Sequence, residues 1–227
     1  MFGLDQWVAS FSDGATLALV CLVAVALGLR HATDPDHLAA VTTLIAGTRE
    51  RATGAAARLG LSWGVGHATT LFAFGLPIVL FQSYLPERVQ EGAETTVGIV
   101  IIALAVSLLR RWHQGVFHTH AHPPRTARTP LRAFAIGLVH GMGGSAGVGL
   151  LLLASIHDRS IAVAALGLFA LCTALSMALL STGLGLTFGR GRIRNAFPAL
   201  APLFGLMGLS FGVWYALGAL HVAPYYF

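Results

Sequence analysis

An apolar run from Ala15 to Gly47 is interrupted at its centre by Arg30-His-Ala-Thr-Asp-Pro-Asp-His37, and this polar island constrains the chain more than any other stretch. An ionisable side chain inside a membrane span costs about 2.5–3.5 kcal/mol on insertion scales, so such a cluster marks a functional site and needs internal partners. The run is also too long for one straight crossing, which takes about 20 residues. It must tilt, project beyond the bilayer, or break. Pro35 is a natural break, because proline removes a backbone donor and clashes with the preceding turn.

Composition places the island in a membrane protein. Of the 227 residues 56% are hydrophobic and 10% charged, with a mean hydropathy of +0.74, where a soluble domain carries about 25% charged residues. The 27 glycines suit close helix packing in lipid. A net charge of +5 could suggest nucleic acid, but the chain has no lysine and its arginines lie between apolar segments, so no nucleic-acid partner is expected. Cys21 and Cys172 form no CxxC pair and no disulfide framework, and read as packing residues. The N-terminus has Asp5 and Asp13 but no basic residue before the first apolar run, so no signal-peptide cleavage is expected.

Six apolar stretches are long enough to cross a bilayer, near residues 15–47, 58–82, 95–112, 131–156, 161–188 and 197–221. Eleven of the 14 arginines fall in the first, third and fifth connecting loops, whereas Glu87, Glu91 and Glu94 crowd the second. The positive-inside rule then makes the odd loops cytoplasmic and puts both termini outside. A weak internal repeat overlays Gly28-Leu-Arg-His31 on Gly137-Leu-Val-His140, at an offset of 109 residues, and brings Gly98 onto Gly208 with one residue of slip. Three spans per half require the halves to lie in opposite orientations, the plan of secondary transporters with a midplane site on interrupted helices. The expected fold is therefore an all-α, polytopic membrane protein with six transmembrane helices, built as two inverted three-helix repeats with interrupted first and fourth helices. Residues 1–112 form the first repeat, 113–130 a cytoplasmic His-rich linker, and 131–227 the second repeat. The interruptions correspond: Pro35 in one half, and Gly141, Gly143, Gly144 and Gly147 after His140 in the other.

Imidazole suits nickel, cobalt, copper and zinc, while a carboxylate completes the shell and offsets charge. His31, Asp34, Asp36 and His37 can thus supply most of a metal site. On a straight helix, at 100° per residue, His37 lies about 240° round from His31, so a break at Pro35 is needed to bring them together. Arg30 is spaced to pair with Asp34, which leaves open whether Asp34 binds metal or holds Arg30. His67, flanked by Gly64, Gly66, Thr69 and Thr70, is either a further ligand or a hydrogen-bonded packing residue. His140, with Ser145 nearby, stands at the matching repeat position and is the next candidate. In the third loop, His113 precedes an alternating His118, His120 and His122, which either collects divalent ions weakly or is a solvated linker. His157 and His221 are left out of the site.

At these residues the chain resembles the nickel/cobalt transporter superfamily, and within it the six-span branch associated with urease accessory and nickel-permease-like proteins. The family's H-x4-D-H signature reads here as His31-Ala-Thr-Asp-Pro-Asp36-His37, and its G-H-[ST] element is similar to Gly66-His67-Ala-Thr69. Residues 137–153 resemble the corresponding helix of the short branch. The resemblance implies movement of Ni2+ or Co2+ across the cytoplasmic (inner) membrane, with His31, Asp36, His37 and His67 at the metal-handling positions. The acidic LGFDTATE-type helix of eight-span members is missing, so their selectivity is not carried over.

The expected function is a secondary transporter that takes up Ni2+, or Co2+, for metalloenzyme maturation. The metal is cargo rather than a resident cofactor, and there is room for a metallochaperone on the cytoplasmic side. The alternatives are Ni2+/Co2+ efflux and a membrane metal-binding accessory protein. No enzyme activity is expected, since the chain lacks Walker A and HExxH motifs and none of the six stretches contains a glutamate.

Overall fold

In a computed structural model, the structure describes residues 2–45, 52–81, 86–115, 129–143, 150, 154, 156 and 158–224. Among them are seven helices: α1 (Phe2–His31), α2 (Pro35–Ile45), α3 (Ala52–Phe81), α4 (Glu87–His113), α5 (Pro130–His140), α6 (Arg159–Gly189) and α7 (Gly191–Ala219). Local chemistry sets several of their ends. Thr129 caps α5 by accepting from the Arg132 N–H, with Pro130 at the first helical position. Asp158 caps α6 by accepting from Ser160 and Ile161. Past the end of α4, Gly115 takes φ +69°, a left-handed conformation open to glycine without a Cβ penalty.

Segments of α3, α4, α6 and α7 are each long and apolar enough to cross a membrane. A fifth crossing forms if Leu17–His31 and Pro35–Ile45 are one span, bent by 50°. The chain is a multi-pass membrane protein. α5 has 11 residues and is too short to cross alone; Gly144, Ser145 and Gly147, and His157 beyond them, lie outside the described residues, as do His118, His120 and His122.

Polar and apolar surfaces are distributed as lipid demands. Leu61, Phe81, Ile99, Leu171, Leu179 and Met207 point outward, while His31, Asp36, His37, His67, Glu94 and His140 are buried. Cys21 is exposed rather than packed inside, and Cys172 is partly covered. α4 also begins eight residues before the expected 95–112 stretch and carries Glu94 into the interior. Gln90, one turn earlier, donates its Nε2–H to the Glu94 carboxylate at 3.0 Å, which makes that burial tolerable.

The most extensive helix contacts pair α3 with α6 and α4 with α7, while α1 lies on α6 and α5 on α3. Glycines allow these approaches. A Cβ on Gly28 would stand 2.6 Å from the Phe169 carbonyl oxygen and 2.7 Å from the Cys172 Cβ, and one on Gly64 would stand 2.7 Å from the Ala174 carbonyl oxygen. A Cβ on Gly137 would overlap the Trp63 carbonyl oxygen, and one on Gly66 the Phe134 carbonyl oxygen. α3 and α5 therefore meet backbone to backbone, which small residues permit in lipid.

Candidate metal centre

The helix breaks where the sequence turns polar. α1 ends at His31, and the turn through Ala32, Thr33 and Asp34 is closed by Thr33 N–H to Arg30 O at 2.8 Å and Asp34 N–H to His31 O at 3.2 Å. Pro35 is the first residue of α2, where its missing N–H costs nothing, and it disfavours the helical region for Asp34 before it. The 50° bend brings His37 back over His31, with ring centroids 4.6 Å apart. A straight helix would have put those rings on different faces.

His67, midway along α3, meets His31 directly: the two Nε2 atoms are 3.1 Å apart. His31 Nδ1–H donates to the Asp34 carboxylate at 2.9 Å, so neutral His31 presents its Nε2 lone pair toward His67. Asp34 also pairs with Arg30 at 3.7 Å. The Arg30 side chain is 72% exposed and that of Asp34 13%, so this pair forms the outer edge of the cluster.

His140, the last residue of α5, enters from the opposite side. Its Nε2 lies 3.3 Å from Asp36 Oδ2, and His37 Nδ1 lies 3.3 Å from Asp36 Oδ1. Neither approach is aligned as a hydrogen bond. Asp36 Oδ2, both nitrogens of His37, both nitrogens of His140, and His67 Nδ1 are buried without a hydrogen-bond partner. A buried polar atom with no hydrogen bond costs about 1–3 kcal/mol in desolvation, so this concentration of lone pairs suits a partner of another kind. Imidazole–metal bonds of about 2.0–2.1 Å at tetrahedral or right angles put two nitrogens about 2.9–3.4 Å apart, and the 3.1 Å between His31 and His67 falls within that range.

The backbone favours a cation here as well. α1 and α5 both point their C-terminal, electronegative ends into the cluster, while Asp36 occupies the first turn of α2. The turn after His140 is closed by Gly141 N–H to Gly137 O at 2.9 Å and Gly143 N–H to His140 O at 3.2 Å. A Cβ on Gly141 would overlap Thr70 Oγ1 and the His67 carbonyl oxygen.

The structure thus brings together His31, Asp34, Asp36, His37, His67 and His140. Thr69 and Thr70 add no hydroxyl to the cluster: their Oγ1 atoms donate back to Val65 O at 2.8 Å and to Gly66 O at 3.2 Å, along their own helix. Trp63 is a member that spacing could have revealed, one turn before His67 on the same face of α3. It is fully buried, and its ring centroid is 5.7 Å from those of both His37 and His140. Away from the cluster, His221 stands 3.0 Å from Glu91 and 3.9 Å from Glu87 at the exposed meeting of α4 and α7.

The chain is similar to the urease accessory protein UreH of Bacillus sp. (strain TB-90), at 27% identity over 216 residues, 89% of this chain and 92% of that protein. It is 34% identical over 114 residues to the high-affinity nickel transport protein of Cupriavidus necator, covering 47% of this chain and 30% of that protein. A third relative, the cobalt transport protein NhlF of Rhodococcus rhodochrous, is 33% identical over 91 residues, covering 39% of this chain and 25% of that protein. No protein-family model and no solved structure matches the chain.

Proposed function

We propose that this chain moves Ni2+, and Co2+ as a second cargo, across the cytoplasmic membrane into the cell. The observation that carries the reading is the buried cluster of four imidazoles and a carboxylate at a helix break, with most of its donor atoms lacking hydrogen-bond partners. Two of the relatives are named for nickel or cobalt transport, which supports metal cargo, and the third is named a urease accessory protein. In this reading His31, Asp36, His37, His67 and His140 take the ion. Asp34 orients His31 through its Nδ1–H, fixing the tautomer that offers Nε2 to metal, and Arg30 holds Asp34.

The six-span plan with inverted halves 1–112 and 131–227, joined by 113–130, belongs to the same proposal. Helix contacts support it. Exchanging the halves turns the α1–α6 contact into the α5–α3 contact and leaves the α3–α6 and α4–α7 pairs unchanged. Gly28 packs on Cys172 and Gly137 on Trp63, and both 137 − 28 and 172 − 63 give 109. The arginine-rich loops then face the cytoplasm and both termini lie outside. An inside-negative potential of 100 mV draws a divalent ion inward by about 4.6 kcal/mol, from about 2.3 kcal/mol per charge. Ion influx needs no ATP site.

Cells expressing the protein should accumulate radiolabelled Ni2+ above control cells. Accumulation below control would replace uptake by efflux. UreH, the relative matched over most of both chains, is named as an accessory protein, which favours an accessory metal-binding role as the second reading. Purified protein in liposomes separates the two: an accessory protein binds metal there without passing it across.

A further inference from the structure

Donors of the centre fall into two sets of three, His31–His37–His67 and Asp36–His37–His140, and within each set the ligand atoms lie within 4.8 Å of one another. Among the described residues, neither set gains a fourth donor within that distance. Two donors on one ion cannot stand further apart than twice a bond length, about 4.2 Å. Each set needs only a slight contraction to close on an ion, whereas drawing all five residues onto one ion needs a larger collapse. The His67 and His140 rings, one from each set, have centroids 6.1 Å apart.

We propose that the centre is two alternative coordination sites that share His37, and that the cargo passes between them by exchanging two ligands while His37 keeps hold. This rests on the reading that the cluster takes metal. One site is all imidazole; the other replaces an imidazole with the Asp36 carboxylate and so offsets part of the ion's charge. As a neutral imidazole His37 has one lone pair, so it serves one site at a time and the chain holds one ion.

The fold explains how one of these sites could be opened while the other stays intact. His31 and His140 are the last residues of α1 and α5, and they occupy corresponding positions of the internal repeat. They fall in different sets. His31, His37 and His67 all belong to residues 1–112 and His140 to residues 131–227, so a movement of one half against the other shifts His140 relative to His37 while the all-imidazole set stays together. His37 itself is fully buried between them, with centroids 4.6 Å from His31 and 4.8 Å from His140.

The test is equilibrium binding of Co2+ to the full-length protein in detergent, for the wild type and for His67→Ala, His140→Ala, the double variant, and His37→Ala. Where two sites alternate, the observed association constant is the sum of theirs. At least one of the single variants must then stay within about twofold of wild type, because the stronger site supplies half or more of that sum. The double variant and His37→Ala should each lose about a hundredfold or more, since no intact set remains. Co2+ ligand-field absorption gives an independent reading: a composite band in wild type, and a different single component in each single variant. Wild-type binding of one equivalent combined with a tenfold or greater loss in both single variants, or identical spectra in both, overturns the shared-ligand arrangement and leaves the metal-transport reading intact. No Co2+ binding by folded wild type overturns both.

Discussion

Gly28→Ala probes the packing that positions the centre. Gly28 lies in α1, three residues before His31, and an added Cβ would meet the Phe169 carbonyl oxygen at 2.6 Å, the Cys172 Cβ at 2.7 Å and the Thr173 nitrogen at 3.2 Å. These are backbone atoms or the first atom of a side chain, so none can swing aside. Ordinary contact begins at 3.4 Å, and 3.4 − 2.6 leaves 0.8 Å that α1 must retreat. His31 rides on the same turn. Binding constellations tolerate displacements of about 0.5 Å, and a misplacement of about 1 Å can cost about a hundredfold where geometry is exacting. We predict that Gly28→Ala, added to the His140→Ala variant in which only the His31–His37–His67 set remains, lowers Ni2+ affinity by about ten- to a hundredfold, and that it lowers stability by about 1–3 kcal/mol, the usual cost of overpacking. Gly183→Ala is the control, because nothing lies within 4 Å of its added Cβ; replacing a mid-helix glycine there should be neutral or stabilising by about 0.5–1 kcal/mol. Titration calorimetry gives the affinities and thermal unfolding in detergent the stabilities. Ni2+ affinity left unchanged when Gly28→Ala is added to a folded His140→Ala protein would falsify the claim that the α1–α6 contact sets the position of His31.

Three further predictions follow from the centre's geometry. Asp34→Asn keeps an acceptor for His31 Nδ1–H but removes the charge and the Arg30 pairing, so in the His140→Ala background, where only the His31 set remains, Ni2+ affinity should fall by about tenfold; a loss there as complete as that of His37→Ala would show Asp34 to be a ligand. Trp63→Ala empties a fully buried position beside His37 and His140 and should destabilise the protein by about 3–5 kcal/mol in thermal unfolding, an effect that Trp63→Phe should largely avoid. Lowering the pH from neutrality should weaken Ni2+ binding, because imidazole must be deprotonated to ligate and protons compete with the metal; affinity that rises on acidification, measured by the same titration, would exclude histidine ligation.

The sequence made the broken first helix legible for two physical reasons. A proline followed the turn, and a straight helix would have split His31 from His37. His67 and His140 were legible as candidates through flanking glycines and the internal repeat, and both lie in the cluster. The role of Asp34 was not: it sits three residues from His31 and four from Arg30, and both spacings allow contact on a helix. It meets both. The start of α4 was hidden because acidic residues depress hydropathy, although Gln90 satisfies Glu94 within one turn. The direction of the Thr69 and Thr70 hydroxyls was not legible, because composition cannot distinguish a donor aimed at a ligand from one bonded to its own helix. Trp63 was not marked by the span's own pattern, since a helix apolar all round does not show which face turns inward; only its spacing of four residues from His67 pointed to it.

Purified protein in sealed liposomes offers the most direct measurement of whether the cluster carries metal across a membrane. External Ni2+ is supplied, an inside-negative potential is imposed, and internal Ni2+ is followed with a trapped indicator for wild type and for His37→Ala. Ni2+ should enter wild-type vesicles and respond to the potential, while folded His37→Ala protein should be no better than empty vesicles. Equal flux through both proteins, or none through a wild type that binds the ion, would contradict transport through this centre.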